Sequence, residues 1–338
     1  MSRPSRAAFT LVELLVVITV IAMLMALLIP AAYMFIARAK QTQCLNNLKE
    51  IGQACLVYET NRQHYPPENS NITSRNVGAG NGTGFCVTWP AYLTGYLGRG
   101  DLSGLNDTSA TPAPWYSYMP VFVCPANPPE QLDELVPALG YACTAGRKNN
   151  GGTASTPSDW KDNGVFMEFK KNQMTENVTK EFVNRNDGCQ MTLMVMETLT
   201  AGNWSVVVDP SQPNLSEIRV GIVWPHSYQD LSQTPPHPAA QWPSADDTRV
   251  NEPYVLKNYS TITQSTISSK HSGGSNVVFC DSHAIFLNQD IDPIVIEYMM
   301  TPNGKNIRNP GDPTKIPGGQ NIKMASLRTS LSTLDFEP

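Results

Sequence analysis

An uninterrupted apolar segment lies near the start of the chain. No residue from Leu14 to Ala37 carries a charge, and two arginines, Arg3 and Arg6, precede the segment. A helix of this length, at about 1.5 Å per residue, reaches about 36 Å and can cross a hydrocarbon core of about 30 Å. The pattern predicts a membrane-spanning helix over residues 9–37. Because the basic residues come first, we expect the N-terminus on the cytoplasmic side.

A helical stripe of apolar residues follows the span. It comprises residues at i, i+4, i+7, i+11 and i+14, namely Cys44, Leu48, Ile51, Cys55 and Tyr58. This spacing places their side chains on one face of a helix. Pro66 and Pro67 prevent the helix from continuing beyond that point. The sequence therefore predicts an amphipathic stem helix over residues 38–61, packed on the remainder of the chain.

Residues 62–338 show short runs of β-forming residues separated by Pro, Gly and Asn. The candidate strands are Gly164–Phe169, Thr192–Glu197, Val206–Val208, Ile218–Trp224 and Asn276–Leu287. Strands do not alternate with long amphipathic helices here, which disfavours a doubly wound parallel sheet. We expect an α+β fold in which a long N-terminal helix packs on a predominantly antiparallel β head.

The charge of the chain narrows the classes of partner. The formal net charge is −5, and no run of Lys and Arg is longer than two residues. A nucleic-acid-binding surface needs clustered positive charge, so we expect no nucleic-acid partner.

Glu13 is the one acidic residue in the predicted span. A carboxylate at membrane depth costs about 3 kcal/mol on insertion scales, so such a residue usually has a partner and a function. Pairing with a buried positive charge would make it tolerable. We therefore treat Glu13 as a candidate assembly residue.

The segment around Glu13 resembles the N-terminus of type IV pilins and type II secretion pseudopilins. It reads Ala8-Phe9-Thr10-Leu11-Val12-Glu13 behind a short basic leader. The resemblance implies that a prepilin peptidase removes residues 1–8 by cutting between Ala8 and Phe9, and then methylates the new amine. Ala8 stands where those families carry glycine. By position, Glu13 becomes the fifth mature residue, which in these families pairs with the amine of a neighbouring subunit, and Pro30 matches a helix-softening proline.

The resemblance implies a function as well as a processing route. We expect a prepilin in a bacterial-type inner membrane, with an extracytoplasmic head, whose partners are prepilin peptidase and other pilin or pseudopilin subunits. We expect no enzymatic activity and no cofactor. The alternative is a signal anchor that tethers a periplasmic carbohydrate-binding module or hydrolase, with a stacking platform drawn from Trp115, Tyr116, Trp160, Trp224 and Trp242.

A hairpin is predicted near the end of the head. Residues 277–280 and 284–287 are apolar and flank a turn at Asp281 and Ser282, with His271 ten residues before the aspartate. This arrangement resembles a His-x9-Asp-Gly element in a large pilin-like family of uncertain function. We predict a His271–Asp281 hydrogen bond that clasps the hairpin. Ser282 replaces glycine at a position that favours positive φ, which indicates a strained or different turn.

The sequence leaves two questions open, namely whether the head binds calcium and how the cysteines pair. Asp281, Asp290 and Asp292 could offer oxygen ligands to calcium, although solvated loop carboxylates are the favoured interpretation. The seven cysteines are Cys44, Cys55, Cys86, Cys124, Cys143, Cys189 and Cys280. In a helical stem the first two lie about 16 Å apart and cannot pair, so each, if bonded, must join the stem to the head. A Cys124–Cys143 bond is plausible, but the sequence does not determine the connectivity.

Overall fold

We describe the fold from a computed structural model. The structure describes residues 11–72, 85–104, 117–128, 138–147, 161–162, 164–167, 177–199, 201, 204, 221–224, 267–291, 295–296 and 299–304. The processing residues Ala8 and Phe9 and the calcium candidate Asp292 lie outside these ranges, as does the predicted strand Val206–Val208.

One helix, α1 (Leu11–Arg62), carries both the predicted span and the predicted stem. The stripe from Cys44 to Tyr58 is buried, as the spacing predicts, whereas the apolar residues before Arg38 are largely exposed. The helix ends at Arg62 because Gln63 turns into the left-handed region at φ 63°, and its N–H donates to the Glu59 carbonyl. The expected long N-terminal helix, packed on the head in its second part, is confirmed.

A five-stranded mixed sheet forms the centre of the head. Its strands, in spatial order, are β5 (Gly221–Trp224), β3 (Tyr141–Arg147), β4 (Leu193–Glu197), β6 (Gly274–Phe279) and β7 (Ala284–Asn288). The β3–β4, β4–β6 and β6–β7 pairs are antiparallel, and only β3–β5 is parallel among the described strands. The α+β fold with a mostly antiparallel head is confirmed.

Smaller elements surround the sheet. They are the antiparallel pair β1 (Asn69–Ile72) and β2 (Phe85–Thr88), the helices α2 (Trp89–Leu93) and α3 (Lys180–Arg185), and the 3-10 turns Gly100–Gly104 and Pro120–Phe122. The strand predicted over 164–169 is wrong for its described part, 164–167. That segment makes isolated backbone bonds, from Phe166 to Thr144 and from Glu68 to Met167, without a continuous ladder.

The sheet is covered on both faces, which explains why every residue of β4 and β6 is buried. On the stem side, Val278 and Cys280 pack with the buried stripe of α1. On the other side, Val277 and Phe279 pack with Met299 and neighbouring apolar residues. The alternation of side chains along a strand therefore sends one set to each core.

Polar contacts complement this packing and set the position of the stem. Asn47 donates to the Val123 carbonyl at 3.1 Å, near the start of the packed region. Glu59, near the end of α1, accepts from the Lys180 N–H at 2.9 Å, at the beginning of α3. The stem is thus held at both ends of its buried face.

Candidate functional site

The first half of α1 is the largest exposed apolar surface that the structure describes. Residues 11–30 are all exposed, and most are Leu, Val, Ile, Met or Ala. The helix is long and apolar enough to cross a membrane, by length and composition. Apolar surface on this scale needs a cover of lipid or of neighbouring apolar helices. The segment is therefore compatible with single-pass membrane anchoring.

Two polar or helix-breaking positions interrupt this surface. Glu13 lies in the first described turn of α1 and is exposed. Pro30 lies inside the helix, and the helical assignment continues through it without a break. The structure therefore places both residues on the apolar segment and shows no melted turn at the proline.

A second site lies where the stem enters the head. Four buried residues meet there, each offering one donor atom, and all four atoms lie within 4.8 Å of one another. We call this set the junction cluster: Cys44, Cys124, Glu197 and His271. Cys44 and Cys124 are joined by a disulfide with Cα atoms 5.2 Å apart. The prediction that a bonded Cys44 joins stem to head is confirmed.

Each member of the junction cluster is positioned by its own element. Asn47, one turn beyond Cys44 on the stem, holds the carbonyl of Val123 and so places Cys124 beside the helix. Glu197 ends β4, and His271 precedes the antiparallel neighbour β6, so the two residues lie at the same end of these adjacent strands. The His271 Nε2 atom is 3.4 Å from Sγ of Cys124 and 3.4 Å from Oε1 of Glu197.

The carboxylate of Glu197 is buried and oriented. Asn276 donates its backbone N–H to Oε2 at 2.8 Å and its side-chain amide to Oε1 at 3.0 Å. Tyr141, opposite Glu197 on β3, is also buried, and both burial and this carboxylate raise the pKa of its phenol. The cluster is therefore a water-poor polar site in which His271 and Glu197 hold fixed positions.

The predicted His271–Asp281 clasp is wrong. His271 lies before the first residue of β6, whereas Asp281 lies beyond its last residue. A six-residue strand spans about 20 Å, so the two side chains are at opposite ends of it. His271 instead contacts Glu197, and Asp281 accepts hydrogen bonds from the backbone N–H and ring Nδ1 of His283.

The hairpin turn itself forms where the sequence predicts it. Ser282 adopts φ 70°, and its N–H donates to the Phe279 carbonyl. The Phe279 N–H in turn donates to the backbone carbonyl of His283. This is a three-residue loop whose last residue takes the left-handed conformation that glycine adopts most easily. The expected strained position at Ser282 is confirmed.

The remaining described cysteines are free thiols in the stem-side core. They are Cys55, Cys143, Cys189 and Cys280. The Cys124–Cys143 pairing is wrong, because Cys124 bonds to the stem and Cys143 is buried in β3. Burial raises the pKa of each of these thiols above its usual value. The side chain of Cys86 lies outside the described residues.

The calcium and stacking-platform hypotheses gain no geometry from the described residues. Asp281 is engaged by His283, and Asp290 is exposed. The side chains proposed for an aromatic platform lie outside the described part of the chain, Trp224 included. Both stay predictions.

Sequence spacing gave no signal for the junction cluster. Cys44 and Cys124 are 80 residues apart, and Cys124 and His271 are 147 apart, so no short metal or catalytic motif links them. The cluster exists because α1 and a loop meet the neighbouring ends of the adjacent strands β4 and β6. The stem's burial pattern gave the only partial signal, since it placed Cys44 on the packed face.

Two family models match the chain. One, described as "Prokaryotic N-terminal methylation motif", matches residues 3–29. The other, described as "Protein of unknown function (DUF1559)", matches residues 37–294, more than half of the 338 residues. The chain belongs to the DUF1559 family.

The division between the two matches follows the structure. The methylation motif covers the exposed apolar part of α1, and the DUF1559 match covers the stem and the sheet. A search of curated proteins and a search of solved structures each gave no match. A prepilin-type N-terminus, a long apolar helix and an α+β head together make this DUF1559 chain a pilin-like protein, as the N-terminal resemblance predicted.

Proposed function

We propose that this chain is a subunit of a type II secretion pseudopilus or a type IV pilus-like filament. One observation carries the proposal: a single helix of 52 residues is apolar and exposed in its first half and packed on the head in its second half. Such a helix can lie in a membrane before assembly and between neighbouring copies of the same helix afterwards. The matched methylation motif supports the same route.

The sequence of events follows from the residues at the N-terminus. Prepilin peptidase cuts between Ala8 and Phe9 on the cytoplasmic side and methylates the new amine. The head lies outside the membrane, and the apolar helices of neighbouring subunits then pack side by side. The Glu13 carboxylate pairs with the positively charged amine of a neighbour, since both charges are tolerable in an apolar bundle only when paired. The role is structural rather than enzymatic.

The test replaces Glu13 by valine in the full chain. The variant Glu13→Val makes the helix more apolar, so membrane insertion and leader removal should proceed, while the yield of sheared filament falls to a small fraction of wild type. Glu13→Asp is the matched control, because it keeps the charge. Filament yield is measured by shearing and immunoblotting. Normal filament yield from Glu13→Val would remove the pairing role.

A second variant tests processing separately. Ala8→Leu should leave an uncleaved chain, because the peptidase of the resembling families needs a small residue before the cut. Intact-mass analysis of the membrane-extracted protein should give an N-methylated Phe9 start for wild type and a full leader for Ala8→Leu. Cleavage at another residue in wild type would favour the tethered-domain alternative.

A further inference from the structure

The junction cluster brings together the side-chain types that bind zinc. Two sulfurs, an imidazole nitrogen and a carboxylate oxygen lie within 4.8 Å of one another, and all four residues are buried. Structural zinc sites use four such ligands in a tetrahedral arrangement, with N and O at about 2.0–2.1 Å and S at about 2.3 Å from the metal. Disulfide pairing and metal binding are alternative uses of the same two cysteines.

The distances around His271 fit a tetrahedral site. For the metal–ligand distances above, ligand atoms are separated by about 3.3–3.7 Å along the edges of the tetrahedron. Nε2 of His271 already lies 3.4 Å from Oε1 of Glu197 and 3.4 Å from Sγ of Cys124. The two sulfurs must separate, and reduction of the disulfide releases them. The other ligand atoms already lie within 4.8 Å of one another, so small side-chain shifts bring them to the distances of a tetrahedron.

We propose that the junction cluster, when both of its cysteines are reduced, binds one zinc ion that joins the stem to the head in place of the disulfide. The ion would take the two thiolates, Nε2 of His271 and Oε1 of Glu197. The stem-to-head joint then has two alternative forms, one held by metal and one held by the Cys44–Cys124 bond.

The surroundings of Glu197 support a ligand role. Asn276 donates to each carboxylate oxygen, at 2.8 Å to Oε2 and 3.0 Å to Oε1. Hydrogen bonds of this kind orient a ligating carboxylate and offset part of its negative charge. That offset matters because two thiolates and one carboxylate carry one charge more than Zn²⁺ neutralises.

The exchange between the two forms balances. Binding of the ion releases two protons from the thiols. Oxidation by the disulfide of a thiol-exchange partner removes two electrons from the thiolates, forms the Cys44–Cys124 bond, and leaves the partner as two thiolates. His271 and Glu197 alone then remain as ligands, so the ion departs. A dithiol reductant reverses the exchange by supplying two electrons.

The test uses Co²⁺ as a coloured substitute for zinc. The full chain in detergent is reduced with a phosphine, freed of reductant without air, and titrated with Co²⁺. We expect visible bands of tetrahedral cobalt and thiolate-to-metal charge-transfer bands that saturate at one equivalent, and Zn²⁺ should displace them. The same chain with the disulfide intact should give no bands.

Variants assign the bands to the cluster. His271→Ala and Cys124→Ser should weaken Co²⁺ binding at least about tenfold. Cys143→Ala, which removes a buried thiol in β3 outside the cluster, should bind as wild type does. Tryptophan fluorescence before titration shows whether each variant is folded. Retained bands in His271→Ala, or equal losses in Cys143→Ala, would overturn the proposal.

A measurement on the wild-type chain covers the case in which the variants unfold. With Zn²⁺ present, Cys44 and Cys124 in the reduced chain should resist alkylation, as located by mass spectrometry of the digested protein. Alkylation of both at the rate seen with a chelator would overturn the proposal, as would the absence of saturable Co²⁺ bands in the folded, reduced chain. Neither readout depends on filament formation.

Discussion

Glu197 is buried, with only 2% of its surface exposed, and both of its carboxylate oxygens accept hydrogen bonds that replace those to water. Asn276 supplies one N–H to each oxygen, and His271 lies 3.4 Å away. A carboxylate can accept at both oxygens, whereas an amide of the same shape can accept at only one. The site is therefore built for a carboxylate and not merely for a side chain of that size.

We predict that Glu197→Gln lowers the free energy of unfolding by about 1–3 kcal/mol, because the new NH2 must face a donor of Asn276 and leaves it unsatisfied. Urea unfolding of the full chain in detergent, followed by tryptophan fluorescence, measures the change. Glu181→Gln is the matched control, since Glu181 forms an exposed ion pair with Arg185 and should change stability by less than about 1 kcal/mol. Equal stabilities of the two variants would contradict this account.

The side chain of Asn276 does not find hydrogen-bond partners for all of its own polar atoms. Its Oδ1 atom is buried with no hydrogen-bond partner. An unsatisfied buried acceptor costs about 1–3 kcal/mol. Asn276 thus donates its backbone N–H and its side-chain amide to Glu197, while its own side-chain oxygen has no partner. This arrangement indicates that the two hydrogen bonds to the carboxylate offset the cost of the unpaired oxygen.

At the scale of elements, the stem packs tightly against the hairpin at Gly52. A Cβ on Gly52 would lie 2.8 Å from Cγ2 of Val278 and 3.3 Å from Cβ of Ser282. Glycine is unfavourable in a helix interior by about 1 kcal/mol relative to alanine. Its presence here follows from the contact, because any larger residue would push α1 away from β6.

We predict that Gly52→Ala lowers stability by about 1–3 kcal/mol despite its better helix propensity, through overpacking against Val278. In the double variant with Val278→Ala, the loss should be smaller than the sum of the single losses. Gly95→Ala serves as control, because nothing lies within 4 Å of its added Cβ. Urea unfolding measures wild type, the two single variants, the double variant and the Gly95→Ala control. Strict additivity of the two changes would rule out the steric explanation.

The elements that the sequence predicted are those with a repeating pattern. The stem stripe from Cys44 to Tyr58 and the hairpin of β6 and β7 both follow from periodicity. Strand β3 was missed because Tyr-Ala-Cys-Thr-Ala-Gly-Arg is built largely from small residues without a clear alternation. Its parallel partner β5 comes far later in the chain, and local pattern contains no information on such pairing.

The junction cluster illustrates what the sequence could not provide. The sequence placed Cys44 on the packed face of the stem. Its bonding partner, Cys124, depends on the loop that Asn47 holds against the helix. The His271–Asp281 prediction failed for a related reason, since ten residues of separation say nothing about a strand running between them. Tertiary convergence, not spacing, decides which side chains meet.

At the scale of the whole molecule, the stem-side core contains several ionisable groups kept neutral. Burial raises the pKa of the thiols of Cys55, Cys143 and Cys280, and it raises the pKa of Tyr58 to about 12. In the unfolded chain these thiols ionise near pH 8.5 and the phenol near pH 10. Above about pH 8.5 the unfolded state loses these protons while the folded state keeps them. The folded state therefore binds more protons than the unfolded state, and the free energy of unfolding falls as pH rises.

We predict that the contribution of these groups to the free energy of unfolding is constant below about pH 8. It should fall progressively above about pH 8.5. Each buried thiol adds about 1.4 kcal/mol per pH unit to the fall. Cys143→Ala should therefore lose stability less steeply than wild type between pH 8.5 and 10. Urea midpoints measured across this range test the slope. Parallel curves for the two proteins would show that Cys143 does not contribute.

The Cys44–Cys124 bond also determines how the molecule carries mechanical load. It joins α1 to the loop before β3 only a few residues beyond the exposed apolar segment. Tension between an anchored α1 and the sheet would pass through this covalent bond and bypass residues 45–62. The rest of the stem, with its packed stripe and its contact to α3, would then stay unloaded. Reduction would redirect the same force along the helix and into the stem-side core.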